Sequence, residues 1–268
     1  EQSDVVSPQD EDAYIHIVTD ELQGRIANLA SRFTSTLASL GFQVSTGRVV
    51  DFRAQQYILE QPERGAAPLI YPAHFEGGFV KWPLEGNKKP NAILVTPGTS
   101  ELLLPLGNYV VVKRFSSKEE RKRIVAAVYD ARRVKAPHVG FENHTNYFHR
   151  DNGGLDITVA KGLAAFLNST VVDTLFRHFS GHTQVNAVDL RRLPYPNLKE
   201  LEALGRCIGE EFPTQEELDR IIEKELIGMT TAESGDSPVS AKARIDDALT
   251  LLKEFGLPRA QQNERSAL

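Results

Sequence analysis

The sequence predicts an α+β fold, in which a strand-rich domain with packed helices is followed by a helical C-terminal tail. Short runs of β-branched and aromatic residues, separated by Gly, Pro and Asn, dominate the middle of the chain. Apolar residues at helical spacing follow from residue 156 onward. Strands and helices do not alternate along the chain, so a doubly wound nucleotide-binding sheet is not expected.

The N-terminal segment is expected to be polar at first and then helical. Residues 1–12 are polar, residues 14–18 predict a short strand, and apolar residues at three- and four-residue spacing predict a helix over 20–40. Gly41 is a plausible end for this helix.

Eight strands are predicted in the middle of the chain from β-branched and aromatic composition. They cover residues 42–45, 49–52, 68–71, 79–82, 92–95, 109–115, 124–129 and 139–148.

Helices are predicted from residue 156 to near the end of the chain. An apolar stripe predicts a helix over 156–179, which Asn168, Ser169 and Thr170 divide in two, with capping-box spacing between Thr170 and Asp173. Helices follow at 186–193, 197–208 and 214–227, where Thr214 and Glu217 fit a capping box. Residues 230–238 read as a linker, and a last helix covers 240–255.

Composition places the chain among ordinary globular proteins. It has 268 residues, of which 41% are hydrophobic and 25% charged, and no apolar run has the length of a membrane span. A single cysteine excludes an internal disulfide and is typical of a reducing, cytoplasmic location. The first residue is not Met, so a fragment of a longer protein is expected.

Charge is distributed unevenly along the sequence. The net charge is −5, yet residues 42–196 carry 20 Lys and Arg against 14 Asp and Glu. A basic middle with acidic flanks suggests a polyanionic partner. An uneven solvated surface explains the same counts, so charge alone leaves both interpretations open.

Motifs for cofactor and phosphate chemistry are missing from the sequence. The chain contains no Gly-x-Gly, no Pro-Pro and no Gly-x-x-x-x-Gly-Lys loop. No catalytic residue is therefore predicted.

Polar clusters that suit DNA contact occur at four places. Segment 44–53 places hydroxyls, a glycine and two arginines around short strands, and the alternative is a tight turn with a surface ion pair to Asp51. Segment 113–123 is strongly basic, and the alternative is a solvated hairpin tip. Segments 141–149 and 180–186 carry Asn, Gln, Thr and His side chains that can read base edges. The predicted DNA-binding residues are Ser45, Thr46, Gly47, Arg48, Arg53, Lys113, Arg114, Ser116, Ser117, Lys118, Arg121, Arg123, Asn143, His144, Asn146, Ser180, Gly181, His182, Thr183, Gln184 and Asn186.

The clusters at 141–149 and 180–186 also have alternative explanations. Metal binding by His144 with His149, or by His178 with His182, lacks the accompanying Cys or carboxylate ligands, and no metal site is predicted. Asn186 is also placed to be the N-cap of the following helix.

Five segments, taken in order, resemble the C-terminal specificity region of Type II adenine DNA methyltransferases of the PstI and BsuBI restriction–modification type. They are residues 44–53, 113–123, 140–144, 164–173 and 181–196. The resemblance implies a target-recognition domain at 42–196, preceded by a lead-in and connecting helix at 1–41 and followed by a helical extension at 197–229 and a linker at 230–239. It also implies double-stranded DNA and an upstream methyltransferase domain as partners. S-adenosylmethionine would bind that domain, and no cofactor is expected in this chain.

The tail resembles a second family. Residues 246–268 are similar to the opening of the helical N-terminal domain of PstI/BsuBI-type endonucleases. This resemblance implies that residues 240–268 begin a truncated helical domain. It also implies that a fused or cognate restriction endonuclease is a further partner. Two alternatives to sequence-specific DNA binding stay open. The chain could be a protein-interaction or assembly module without sequence readout, or a metal-dependent nuclease, for which no convincing carboxylate set is present.

Overall fold

A computed structural model describes residues 32–227, except 87, 117–118, 152 and 180–182. The chain divides into two units, Glu1–Phe33 with Ser234–Leu268, and Thr34–Glu233, and the fold below is that of the second unit. The predicted strand at 14–18, most of the helix at 20–40, the linker at 230–239 and the helix at 240–255 lie outside the described residues.

Within the described residues, eleven short strands form two mixed sheets. The strands are β1 Gln43–Thr46, β2 Ile58–Leu59, β3 Ala66–Ile70, β4 Phe75–Glu76, β5 Phe79–Val80, β6 Ala92–Leu94, β7 Leu103–Pro105, β8 Tyr109–Lys113, β9 Ala126–Tyr129, β10 His138–Phe141 and β11 Thr145–His149. The first sheet has the order β1-β11-β8-β9-β5-β4 and the second β2-β6-β3-β10-β7. Pairing is antiparallel except between β5 and β9 and between β3 and β10.

The two sheets share an aromatic core. Tyr109, Tyr129 and Tyr147 of the first sheet pack with Phe141 of the second, and Tyr109 meets Phe141 edge-on at a centroid distance of 5.3 Å. The alternate residues of β8, Val110 and Val112, are also fully buried. Because both faces of β8 are buried, the first sheet is a central layer between the second sheet and the helices.

Six α-helices complete the described part of the chain. They are α1 Asp51–Ala54, α2 Ile157–Leu167, α3 Thr170–Phe179, α4 Ala187–Arg192, α5 Leu198–Cys207 and α6 Gln215–Ile222, and a π-helical turn at Glu223–Ile227 follows α6. Helix α2 packs against β8 and β9 on one side and α5 on the other. None of the described helices has the length and hydropathy needed to cross a membrane.

Two glycines set the close approach of α2 and α5. A Cβ atom at Gly162 would lie 1.8 Å from the carbonyl oxygen of Leu201, and one at Gly205 would lie 1.8 Å from that of Thr158. Lys161, at the same interface, donates through Nζ to the carbonyl oxygens of Ile208 and Gly209, which satisfies backbone groups beyond the end of α5.

The predicted α+β class is confirmed, as is the division of the long helix. Asn168 is the C-cap of α2, and its side chain donates to the carbonyl of Ala126 at 2.8 Å and accepts from the amide of Ala126 at 3.0 Å. The predicted capping box at Thr214–Glu217 begins α6, and a second box, at Asn197–Glu200, begins α5.

Three sequence predictions about secondary structure were wrong. The predicted strand at 49–52 is instead helix α1 after a single bridge at Val49. The predicted strand at 139–148 is two strands, β10 and β11, which belong to different sheets. Residues 34–40 are not helical, because the Thr36 and Ser39 side chains hydrogen bond to the local backbone and close a turn before Gly41.

Candidate nucleic-acid interface

The turn between β10 and β11 connects the two sheets and organises the predicted site. Val49 forms two backbone hydrogen bonds with this turn. Its amide donates to the carbonyl of Phe141 at 3.0 Å, and its carbonyl accepts from the amide of Asn143 at 2.9 Å. Thr145 closes the turn by donating its amide to the carbonyl of Glu142 at 2.9 Å. Segment 44–53 and segment 141–149 are thus joined by backbone hydrogen bonds.

Gly47 allows this junction to form. A Cβ atom there would lie 2.1 Å from the carbonyl oxygen of Glu142 and 2.6 Å from that of Phe141. No other residue fits without moving the turn, so the glycine that the sequence places between hydroxyls and arginines serves a close backbone approach.

The basic segment and the segment before α4 join the same turn. The amide of Arg114 donates to the carbonyl of His144 at 2.9 Å, and its Nη1 donates to the carbonyl of Asn143 at 3.1 Å. Phe115 forms an antiparallel bridge with Gln184. We call the surface formed by residues 46–49, 114–116, 142–146 and 183–185 the reading edge, on which parts of all four predicted clusters meet.

Three side chains of the reading edge are free to contact a ligand. Asn143 and Gln184 are half-buried and Thr183 is exposed, and none of them makes a side-chain hydrogen bond within the described residues. A carboxamide can bind adenine through two hydrogen bonds in the major groove. Asn143 and Gln184 therefore have the chemistry and the accessibility for base readout.

His144 lies beside them and is oriented by Glu142. The Glu142 carboxylate accepts hydrogen bonds from the backbone amide of His144, at 2.9 Å, and from its Nδ1, and the imidazole packs on Phe115 with ring centroids 4.9 Å apart. Glu142 is fully buried, and burial raises the pKa of its carboxyl while the hydrogen bonds from His144 oppose the rise. Glu142 is absent from the predicted site residues because a carboxylate's burial is not visible in the sequence.

Three predicted DNA-binding side chains are buried. Asn146 is inaccessible, since its Oδ1 accepts from the Thr46 hydroxyl at 3.1 Å and its Nδ2 donates to the carbonyl of Val185 at 2.7 Å. Ser116 and Arg123 are each 1% exposed. Burial removes these three side chains from direct contact with a duplex, and we assign them a supporting role instead.

The other predicted residues differ in what they contact. The Arg48 guanidinium donates to the Tyr147 hydroxyl at 3.1 Å and to the carbonyl of Glu101 at 3.3 Å, and the Ser45 hydroxyl lies 3.0 Å from His149 Nε2. Asn186 is the N-cap of α4, as the alternative interpretation predicts. Lys113 is paired with Glu120 at 2.8 Å, and Arg53 and Arg121 are exposed. The last predicted residues lie outside the described part of the chain: Ser117, Lys118, Ser180, Gly181 and His182.

The structure gives the histidine pairs no shared ligand set. His144 contacts Glu142, whereas His149 contacts Ser45. No group of three or more His, Cys, Asp or Glu side chains is placed to hold a metal ion in the part of the chain that the structure describes. The His178 and His182 side chains lie outside that part.

Some basic residues of the middle segment lie away from the reading edge and are paired with acids. Arg132 contacts the buried Asp130 at 2.7 Å, and Arg133 contacts Glu210 at 3.1 Å. Burial opposes ionisation of Asp130, but the hydrogen bonds and charge of Arg132 hold the pKa of Asp130 below its ordinary value. The positive charge of residues 42–196 is thus partly neutralised within the fold, so the total charge does not identify a binding face.

Comparison with known proteins identifies relatives of the chain. It is 43% identical over 223 residues to Type II methyltransferase M.PstI of Providencia stuartii and 45% identical over 225 residues to Type II methyltransferase M.BsuBI of Bacillus subtilis. The chain is homologous to Type II methyltransferases. Each match covers 83% of this chain and 44% of the relative, so the chain spans less than half the length of these Type II methyltransferases. No family model matches the chain.

A solved structure shares the fold at much lower identity. The type IIG restriction endonuclease BpuSI superimposes with a TM-score of 0.52 at 11% identity, over 87% of this chain and 33% of that chain. This likeness concerns the fold alone. The identity to the two Type II methyltransferases confirms the link to restriction–modification proteins that the sequence motifs predict.

Proposed function

We propose that the chain binds double-stranded DNA sequence-specifically, as the target-recognition part of a restriction–modification adenine-specific DNA methyltransferase. The observation that carries this proposal is the convergence of four separated polar segments on the reading edge, where Asn143, Thr183 and Gln184 have no internal side-chain partner among the described residues. Homology to Type II methyltransferases supports the same interpretation.

The reading edge and two exposed arginines outside it supply the two kinds of group that a DNA-binding surface requires. Carboxamides and a hydroxyl suit base edges, and exposed arginines at positions 53 and 121 suit phosphates. Each correct bidentate contact contributes about 1–3 kcal/mol of discrimination between base pairs, whereas a phosphate contact contributes affinity without sequence information. Asn143 and Gln184 are the proposed readers, and Arg53 and Arg121 the proposed phosphate contacts.

No step of methyl transfer is assigned to the residues of this chain, because the sequence contains neither Gly-x-Gly nor Pro-Pro. In our proposal an upstream domain binds S-adenosylmethionine and transfers the methyl group. This chain supplies the site-specific binding energy and presents the target adenine to that domain.

The salt dependence of binding tests the proposed phosphate contacts. Fluorescence anisotropy of a labelled duplex is followed against salt concentration for the full chain and for Arg53→Ala and Arg121→Ala. Each substitution should lower the log–log slope by about 0.9, because one phosphate contact is lost. The matched control is Lys135→Ala, an exposed lysine that precedes the opposite end of β10 from the reading edge. An equal loss with Lys135→Ala would contradict the proposed orientation, and salt-insensitive binding would favour the assembly-module alternative.

A further inference from the structure

Phe52 is the most exposed large hydrophobic residue in the part of the chain that the structure describes. Its relative exposure is 76%, compared with 55% for Leu106 and 40% for Phe115. It lies in helix α1, within the segment that the sequence analysis associates with DNA contact. A phenyl group at this exposure is outside the core and is accessible to a ligand.

The fold fixes Phe52 in this exposed position. Val49 is fully buried and Ala54 is 2% exposed, so the chain is anchored on both sides of Phe52. The amides of Arg53 and Ala54 both donate to the carbonyl of Val50, at 2.9 and 3.0 Å, which closes the turn that carries the ring. The backbone that carries the phenyl group is therefore held in place by these contacts, while the ring itself is exposed.

The same anchor connects Phe52 to the reading edge. Val49, three residues before Phe52, is the residue whose carbonyl accepts from the amide of Asn143. Asp51, its immediate neighbour, accepts from the Tyr71 hydroxyl at 2.9 Å and lies 3.8 Å from Lys89 Nζ. The chain segment that carries the ring is thus joined to the reading edge through Val49, and the negative charge of Asp51 is compensated by Lys89.

The surroundings of the ring suit nucleic acid better than an apolar protein surface. The Arg53 guanidinium lies 5.4 Å from the Phe52 ring centroid, and Gln55 and Gln56 line the same shallow depression. A single apolar ring surrounded by a cation and carboxamides matches a stacked base flanked by phosphates. An apolar protein partner would require a larger contiguous patch.

We propose that Phe52 is a wedge that inserts between base pairs of the bound duplex next to the reading edge. The proposal rests on the proposed DNA-binding function. Insertion of an apolar side chain partly unstacks a base step and kinks the duplex, and loss of stacking lowers the cost of extruding a neighbouring base. Phe52 would therefore determine the shape of the bound DNA, while Asn143 and Gln184 determine its sequence.

The test measures unwinding of relaxed plasmid DNA by the full chain in the presence of a topoisomerase. The linking number of the deproteinised plasmid and the amount of bound protein are measured in parallel for the wild type, Phe52→Ala, Phe52→Leu and the control Leu106→Ala. Leu106, whose amide donates to the carbonyl of Pro137, is exposed near the opposite end of β10. Urea unfolding checks that Phe52→Ala is as stable as the wild type.

If Phe52 inserts between base pairs, the wild type and Leu106→Ala should change the linking number of the plasmid. Phe52→Leu should give a smaller change, and Phe52→Ala should give none. Phe52→Ala should also bind roughly tenfold more weakly, since stacking on a base is lost. If the wild type and Phe52→Ala bind and give the same linking number, the wedge is wrong and the proposed DNA-binding function stands. If no variant binds the plasmid at any salt concentration, the proposed function fails and the wedge fails with it.

Discussion

The Asn146 side-chain amide donates to the carbonyl of Val185 at 2.7 Å, across a sequence separation of 39 residues. This hydrogen bond joins the segment before α4 to the start of strand β11, and the Thr46 hydroxyl donates to Asn146 Oδ1. Asn143, three residues earlier, has no such partner among the described side chains. Two asparagines of one polar cluster therefore differ in their surroundings, and we propose that Asn146 supports the fold while Asn143 contacts DNA.

Asn146→Ala should lower the free energy of unfolding by about 1–3 kcal/mol, because the buried Val185 carbonyl and the Thr46 hydroxyl lose their partner. Urea denaturation followed by circular dichroism measures the change. Asn143→Ala is the matched control and should change stability by less than about 0.5 kcal/mol. A reversed order of the two effects would contradict the assignment of these residues.

Asn143→Ala should instead relax the sequence preference. Loss of one bidentate contact to a base removes about 1–3 kcal/mol of discrimination at one base pair. Competition binding with duplexes that carry single base-pair substitutions measures this loss, and it should be confined to one position of the site. A uniform loss of affinity for all duplexes would show that Asn143 contacts the DNA backbone.

Gly47→Ala should destabilise the fold at the junction between the reading edge and β1. Its methyl group would overlap the Glu142 carbonyl, and such overpacking costs about 1–3 kcal/mol or more. Gly209→Ala is the control, because the nearest atom to its Cβ, the Glu211 carbonyl oxygen, lies 3.9 Å away. Thermal unfolding of the two variants measures the difference, and equal melting temperatures would argue against the close approach.

Stability should fall with acidification because of His74. This imidazole is fully buried, and its Nδ1 accepts a hydrogen bond from the Tyr71 amide. Its Nε2 lies 3.2 Å from Asn91 Oδ1. This arrangement fits the neutral imidazole ring. Burial lowers the pKa of His74 below its ordinary value of 6.5, so the unfolded chain takes up the proton first. The stabilisation is complete above pH 6.5 and is lost as the pH falls from 6.5 towards the lowered pKa.

The pH dependence of urea unfolding, compared between the wild type and His74→Gln, isolates this contribution. The wild type should show the steeper loss of stability below pH 6.5, because the variant has no group to protonate at this position. Parallel curves for the two proteins would mean that His74 takes up its proton equally in the folded and unfolded states.

The helices from residue 157 onward could be predicted from the sequence because their signals are local. Asn197 with Glu200, and Thr214 with Glu217, define helix starts through contacts three residues apart. The strand predicted at 139–148 failed because alternation does not specify the sheet to which a strand belongs, and the turn at Glu142 changes the sheet. Helix α1 depends on a distant partner, the Tyr71 hydroxyl bound to Asp51, which no local pattern contains.

The composition of the candidate site could also be predicted, but its accessible residues could not. The four polar segments are recognisable one by one in the sequence. Whether a member is buried, as Arg123 is, or exposed, as Phe52 is, depends on neighbours that are distant in the chain. Tertiary contacts therefore decide which of these side chains are accessible to a ligand.

The central claim is that the reading edge reads DNA sequence, and selection of duplexes from a randomised pool tests it most directly. The full chain is used for the selection in parallel with the double variant Asn143→Ala, Gln184→Ala. We expect the wild type to enrich a short motif that contains adenine and the double variant to lose at least part of that motif. Recovery of the same motif by both proteins, or of no motif by the wild type, would contradict the account.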